Sequence, residues 1–260
     1  MPAPGKFRFV DAMVVPWGWL PAPRASRTLF PPSMTTPPDY AMRPMAACDH
    51  AAVAAICARV YPTERPYTDE ELGAHSAVFP HGQIVAVHVP TGAVAGCHLT
   101  LRLDLQQFHV DDPWEVLTAG GSFRDHDPEG HTLYGADLMV HPDHQHHGLG
   151  RHLTNAARDL VCDLGLWRMV GGSRLPGYRA HAAAYAPQDY IRAVAAGTLT
   201  DPVLTAHLHD GWLAATAIQG YLPHDDESLG WAAVIQWLNP ACPPPPGFEL
   251  ARLPRLHPGN

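Results

Sequence analysis

The segment richest in chemical possibility is Val140-His-Pro-Asp-His-Gln-His-His-Gly-Leu-Gly150, which lies directly between a strand-like and a helix-like run. Gly148 and Gly150 permit backbone conformations and close approaches that a Cβ forbids. They stand where a helix begins, so unpaired N–H groups and the positive end of the helix dipole face outward together. Such a turn suits a phosphate. It is not a Walker loop, because no lysine follows, and the third glycine of the dinucleotide fingerprint is missing from its offset. His141, His144, His146 and His147 crowd the same turn in a chain with 18 histidines. A zinc site needs three or four converging ligands, and no H-E-x-x-H occurs. Solvated histidines near an anion explain the cluster, so no metal is expected. A histidine-rich metal-binding protein stays as a rival reading.

The elements that must position this turn follow from periodicity. Leu133–Val140 is a strand candidate closed by Pro142. Arg151–Leu164 is the clearest helix, with Leu153, Ala157, Leu160, Val161 and Leu164 on one face and Gly165 at its end. Upstream, Tyr40–Arg43 reads as a short strand. Asp49 can cap a helix to Val60, and Thr68 starts another with Asp69, Glu70 and Glu71 in its first turn. Gln83–Val89 and Ala93–Leu103 read as strands joined at Pro90-Thr91-Gly92. Residues 104–132 form a long polar loop with a short helix near Trp114–Leu117. Leu166–Gly171 is the next strand, and Pro187–Ala196 and Pro202–Asp210 are helices, the second capped by Asp201. Strands near Leu213–Gln219 and Gly230–Leu238 close the pattern. The order β-α-α-β-β-β-α-β-α-α-β-β predicts an α/β domain of the α+β kind, a mixed sheet with helices on its faces.

Composition bounds the rest. The chain has 260 residues, 46% hydrophobic and 16% charged, enough for a sizeable core. Of 28 prolines, nine fall in residues 1–38 and seven in 240–260. The expected organisation is therefore a proline-rich arm over 1–39, one domain over 40–239 and a proline-rich tail over 240–260. Asp11 and Pro16 interrupt the only stretch that could pass for a secretory signal. The arm is read as packed, as disordered, or as preceding a true start near Met34. A formal net charge of −8 argues against nucleic acid as partner, and the absence of an apolar run of about 18–20 residues argues against a membrane body. Five dispersed cysteines without C-x-x-C spacing fit a cytoplasmic location.

Gln145-x-x-Gly148-x-Gly150, preceded by Val140-x-Pro142 at a strand end and followed by an amphipathic helix, resembles the acetyl-CoA-binding motif of GCN5-related N-acetyltransferases (GNAT). The strand and helix order fits that fold over about residues 40–238, with Gly211-Trp212 opening the next-to-last strand. The resemblance implies a central, mostly antiparallel sheet flanked by helices, with acetyl-CoA as cosubstrate. It implies that Leu138, Met139 and Val140 pair with the pantetheine amides. It further implies that the N–H groups of Gln145, His146, His147, Gly148, Leu149, Gly150 and Arg151 hold the pyrophosphate. Gly172-Ser-Arg-Leu-Pro-Gly-Tyr178 with Asp201-Pro-Val-Leu204 resembles a subgroup sometimes appended to carbon–nitrogen hydrolases, although no hydrolase domain is legible here.

In such enzymes an amine attacks the thioester directly, so the protein supplies orientation, a base, a polarised carbonyl and an acid for the thiolate. The resemblance makes Asp137, in the strand beside the thioester, the base candidate. Many members carry a tyrosine in the last helix as the acid; counting back from Gly211-Trp212, His207 holds that place, and a surface histidine is the plainer reading. Tyr178, Tyr185 and Tyr190 could replace the missing tyrosine, aromatic packing being the default for each. Asp111, Asp112, Asp125, Asp127 and Glu129 could draw a cationic acceptor or simply form a solvated loop. The expectation is an acetyl-CoA-dependent N-acetyltransferase acting on a small-molecule or peptide amine, as monomer or homodimer. A non-catalytic CoA-sensing or partner-binding module on the same fold is the other rival.

Overall fold

The computed structural model describes residues 39–104, 109, 111–222 and 224–246. All of the expected proline-rich arm but Asp39, and residues 247–260 of the tail, lie outside the described residues. The strands are β1 (Tyr40–Pro44), β2 (Gln83–His88), β3 (Ala93–Leu103), β4 (Thr132–Val140), β5 (Arg168–Arg174), β6 (Leu213–Gln219) and β7 (Trp231–Leu238). The helices are α1 (His50–Val60), α2 (Asp69–Val78), α3 (Trp114–Leu117), α4 (Leu149–Asp163), α5 (Pro187–Ala195) and α6 (Leu204–His209).

Local chemistry accounts for most boundaries. Thr68 and Glu71 form a reciprocal capping box at the start of α2. Asp201 Oδ1 accepts from the N–H groups of Val203 and Leu204 and so opens α6. Asp49 stands at the expected cap of α1, but its carboxylate is taken by Arg43 and by the Ala46 N–H, leaving no bond to the helix it precedes. α4 begins at Leu149, two residues earlier than its apolar stripe indicates. β5 runs to Arg174 rather than stopping at Gly171, because pairing with β7 continues to Arg174↔Ala232.

The seven strands form one sheet in the order β1-β2-β3-β4-β5-β7-β6, antiparallel except for the β4–β5 pair. α4, α5 and α6 cover one face, burying Leu153, Leu160, Met169, Tyr190, Leu204 and Ile235. α1 and α2 cover the other over Val53, Ile56, Leu72, Leu101, Tyr134 and Met139. Among the described residues no helix is long and apolar enough to cross a membrane.

The parallel pair is where the sheet opens. Its register runs Thr132↔Arg168 to Gly135↔Gly171 and ends there. β4 continues along β3, and β5 continues along β7. One residue beyond the last pair, β4 carries a bulge: Leu99 faces Asp137 and Thr100 faces Gly135, so Ala136 is extra. A bulge bends its strand and sharpens the twist, which turns the second half of β4 away from β5.

Candidate active site

The turn between β4 and α4 uses its first backbone donors internally and leaves its later ones unused. The Gln145 N–H, expected at the pyrophosphate, goes instead to Pro142 O at 3.3 Å. A short 3-10 turn, Pro142–His144, is followed by His146 at φ 64° and Gly148 at φ 74°. A non-glycine residue in that region costs on the order of 1–2 kcal/mol, a strain often kept at binding sites. The N–H groups of residues 146–151 find no acceptor among the described residues. A Cβ at Gly148 would meet nothing within 4 Å, and one at Gly150 only Val140 Cγ2 at 3.8 Å, so the space above both is open. Open donors at the start of a 15-residue helix suit an anion. Arg151 Nε reaches Asp210 Oδ1 at 2.8 Å, tying this turn to the end of α6.

The free edge of β4 leads into that turn. The His141 N–H donates to Ala95 O on β3, so strand alternation directs the N–H and C=O groups of Leu138 and Val140 to the other side, toward the gap. Gln145 Nε2 already donates to Val140 O at 3.2 Å from that side. Met139, in contrast, is buried and its side chain packs under α1 and α2.

The bulge decides where Asp137 points. It sends both Ala136 and Asp137 to the face under α1 and α2, while Leu138 packs on the opposite core. The Tyr67 hydroxyl, from the segment preceding α2, donates a short hydrogen bond to Asp137 Oδ2. Burial pushes the Asp137 carboxyl up to about 7, with the Tyr67 bond pulling the other way. Tyr61, Tyr67, Tyr134 and Tyr221 all have hydroxyls held protonated, first by burial and partly by the charge of Asp137. The Tyr134 and Tyr221 hydroxyls lie 3.2 Å apart. Tyr221 packs so tightly on Gly172 that a Cβ there would collide with its ring. The result is a protonatable carboxyl with an intermediate affinity for protons, set in aromatic surroundings.

The other face of the gap carries histidines. His207 on α6 places Nδ1 3.0 Å from Ser173 Oγ on β5. Burial pushes it down to about 4, so it is neutral near pH 7. His98 on β3 is also pushed down to about 4 by burial, and its Nε2 would be 2.9 Å from a Cβ at Gly135. Asp137 and His207 therefore flank the opening of the sheet from opposite faces.

Tyr178 stands apart: it is buried, its hydroxyl donates to Tyr185 O at 3.1 Å, and its ring packs on Tyr190. The Tyr190 hydroxyl in turn donates to Asp201 Oδ2. Of the acidic loop residues, Asp112 and Asp127 close turns, accepting from the His109 N–H and the Glu129 N–H, and Asp125 lies 3.8 Å from Arg124. In the histidine cluster the Tyr40 hydroxyl lies 2.9 Å from His144 Nδ1, and Arg59 pairs with Asp143 at 3.2 Å. Among the described residues no group of three or more histidines, cysteines or carboxylates is arranged to hold a metal ion. Tyr67, His98 and Ser173 escaped the reading of the sequence. Only Gly171-Gly172, unusual inside a strand, signalled a close approach near Ser173.

Among the described residues the sheet opens at its one parallel pair, with unused backbone donors at the strand end and a carboxyl of raised proton affinity beside the bulge, an arrangement suited to an acyl-CoA-dependent acyltransferase. The Acetyltransferase (GNAT) family profile matches residues 56–184. The uncharacterized N-acetyltransferase YkwB of Bacillus subtilis (strain 168) is 31% identical over 179 residues, covering 69% of this chain and 78% of that protein. The probable hydrolase YhcX of the same organism is 30% identical over 179 residues, but the chain spans only 34% of its length. Among solved structures, the loading GNATL domain of CurA from Lyngbya majuscula shares the fold with a TM-score of 0.66 at 19% identity, covering 76% of this chain and 97% of that one. The GphF GNAT-like decarboxylase in complex with isobutyryl-CoA gives 0.61 at 24% identity, covering 76% and 98%. The chain belongs to the GNAT family of acetyltransferases.

Proposed function

We propose that this protein moves an acetyl group from acetyl-CoA to a primary amine by direct attack, with Asp137 as base. The observation that carries the reading is the pairing of two features at one opening. The unpartnered N–H groups of residues 146–151 suit a diphosphate, and Asp137 stands beside the bulge of the β4 strand that leads into them and ends at Val140. The open edge at Leu138 and Val140 would hold the pantetheine amides, and an N–H on that edge would polarise the thioester carbonyl. Acetyl-CoA supplies the activated acyl group.

Approaching from the α1 and α2 face, the amine nitrogen forms its bond to the carbonyl carbon while the carbon–sulfur bond breaks. Asp137 takes the amine's proton. Its affinity, raised to about 7, makes it a stronger base than an exposed aspartate and still ionisable at neutral pH. The departing thiolate leaves on the α6 face, where His207 offers a hydrogen bond, and finally takes a proton from solvent. His207 serves as a neutral donor rather than as an imidazolium, because its affinity for a second proton is too low near pH 7.

Release of free thiol from acetyl-CoA across a panel of small-molecule and peptide amines tests the reading. At least one amine should give thiol release that requires both substrates. Tight acetyl-CoA binding with no release from any amine would identify a CoA-binding module instead.

A further inference from the structure

Ser173 has no part in the chemistry above, yet it touches His207 directly. Its Oγ lies 3.0 Å from His207 Nδ1 and 3.2 Å from the carbonyl of Arg174. A serine beside a neutral histidine invites comparison with a nucleophile–base pair. That role needs an accessible hydroxyl, and Ser173 is 0% exposed. His207 is the half-buried member, and its Nε2 has no protein partner among the described residues. Ser173 therefore stands behind the histidine rather than in front of it.

Two arrangements satisfy this geometry: Nδ1–H donates to Oγ while the hydroxyl donates to the Arg174 carbonyl, or the hydroxyl donates to a bare Nδ1. The imidazole lone pair is both nearer to the hydroxyl and a stronger acceptor than the carbonyl, which favours the second. Resting on the reading of His207 as partner of the leaving group, we propose that Ser173 is a positioning residue. Its hydroxyl donates to Nδ1 and confines the single ring proton of His207 to Nε2, the nitrogen offered to the departing thiolate. Without that bond the ring can rotate or change tautomer, and in half of those states it presents a bare lone pair to a developing anion. His98 shows the opposite wiring. Its Nδ1 faces the Leu153 carbonyl at 3.5 Å, and a carbonyl can only accept, so the proton is on Nδ1 and Nε2 is bare. The two histidines at the gap thus differ by design of their partners, one a donor and one an acceptor.

The test uses the full chain with isotope-labelled histidine, in wild type, Ser173→Ala and Ser173→Thr. Ring 15N and 13C shifts read the tautomer at pH 7, and thiol release with the best amine reads kcat and KM. Wild type and Ser173→Thr should carry the His207 proton on Nε2. Ser173→Ala should show a mixture, with kcat lower by about tenfold, KM for acetyl-CoA within about twofold, and near-full rescue in Ser173→Thr. A wild-type proton on Nδ1 would overturn the proposal, as would Ser173→Ala with an unchanged tautomer or an unchanged kcat. The arms separate from the function itself. Full activity in His207→Ala would defeat the leaving-group role, and absence of any turnover would defeat the enzyme reading; in either case the ring shifts still decide what Ser173 does to His207.

Discussion

Asp137 gains its chemistry from being held where a carboxylate is uncomfortable. Burial favours its neutral form, the Tyr67 hydroxyl favours the charged one, and the balance falls at about 7. A base must be deprotonated to work, so kcat should rise with pH through about 7 and then level off. Tyr67→Phe removes the group that favours the carboxylate, so the same curve should move to higher pH; a stationary midpoint would show that Asp137 does not control it. Asp137→Asn should cost about a hundredfold or more in kcat, the range typical of a positioned general base, with acetyl-CoA affinity nearly unchanged. The stability effect has the opposite sign. A carboxyl whose folded affinity is raised from 3.8 to about 7 holds a proton that the unfolded chain releases, so its contribution to stability falls as pH rises across that window. The asparagine variant should therefore melt at a higher temperature than wild type at pH 8, and calorimetry would read the difference.

At the level of elements, the turn before α4 and the split of the β4–β5 pair make one construction. Leu153, Ala157 and Leu160 are fully buried and fix the helix against the sheet. Arg151 and Arg158 both bind Asp210, and Arg158 also lies over the rings of Trp212 and Trp237, so α4 and α6 are fixed relative to each other. This separates two glycines that look alike in sequence. Gly148, at φ 74°, would strain any substituent, so its replacement tests folding and binding together. Gly150 has ordinary backbone angles and room for a side chain, its nearest neighbour being Val140 Cγ2 at 3.8 Å. Gly150→Val should therefore leave the melting temperature within a few degrees of wild type while lowering CoA affinity by tenfold or more, because the added methyls would stand where a diphosphate must approach the N–H groups. Unchanged affinity by calorimetry would remove the anion site from this turn.

Across the whole molecule, the proposed reaction divides between the two faces of the sheet, proton acceptance under α1 and α2 and leaving-group stabilisation under α5 and α6. The second face carries a liability in acid. His98 and His207 are both held near 4, below the 6.5 of an unfolded histidine, so the folded state binds fewer protons than the unfolded one between these values. Their contribution is fully present above pH 6.5 and is lost as pH falls toward 4. The urea midpoint should drop between pH 7 and pH 5, and His98→Gln should flatten that slope. An equal slope in the variant would place the acid sensitivity elsewhere.

The sequence by itself determined the element order, β3, α3 and β6 to the residue, and the glycine-bearing turn between β4 and α4. These were legible because burial periodicity, caps and glycine offsets act within a few residues. Only the tertiary structure decided what the site residues touch. Tyr67 meets Asp137 across 70 positions, and Ser173 meets His207 across 34. The first contact depends on a bulge that shows only in the pairing of β3 with β4, and the second on β5 running past Gly171 because β7 extends beside it. Register between distant strands is set by the shared core and not by either strand alone, which is why partners across the sheet appear only after the chain has folded.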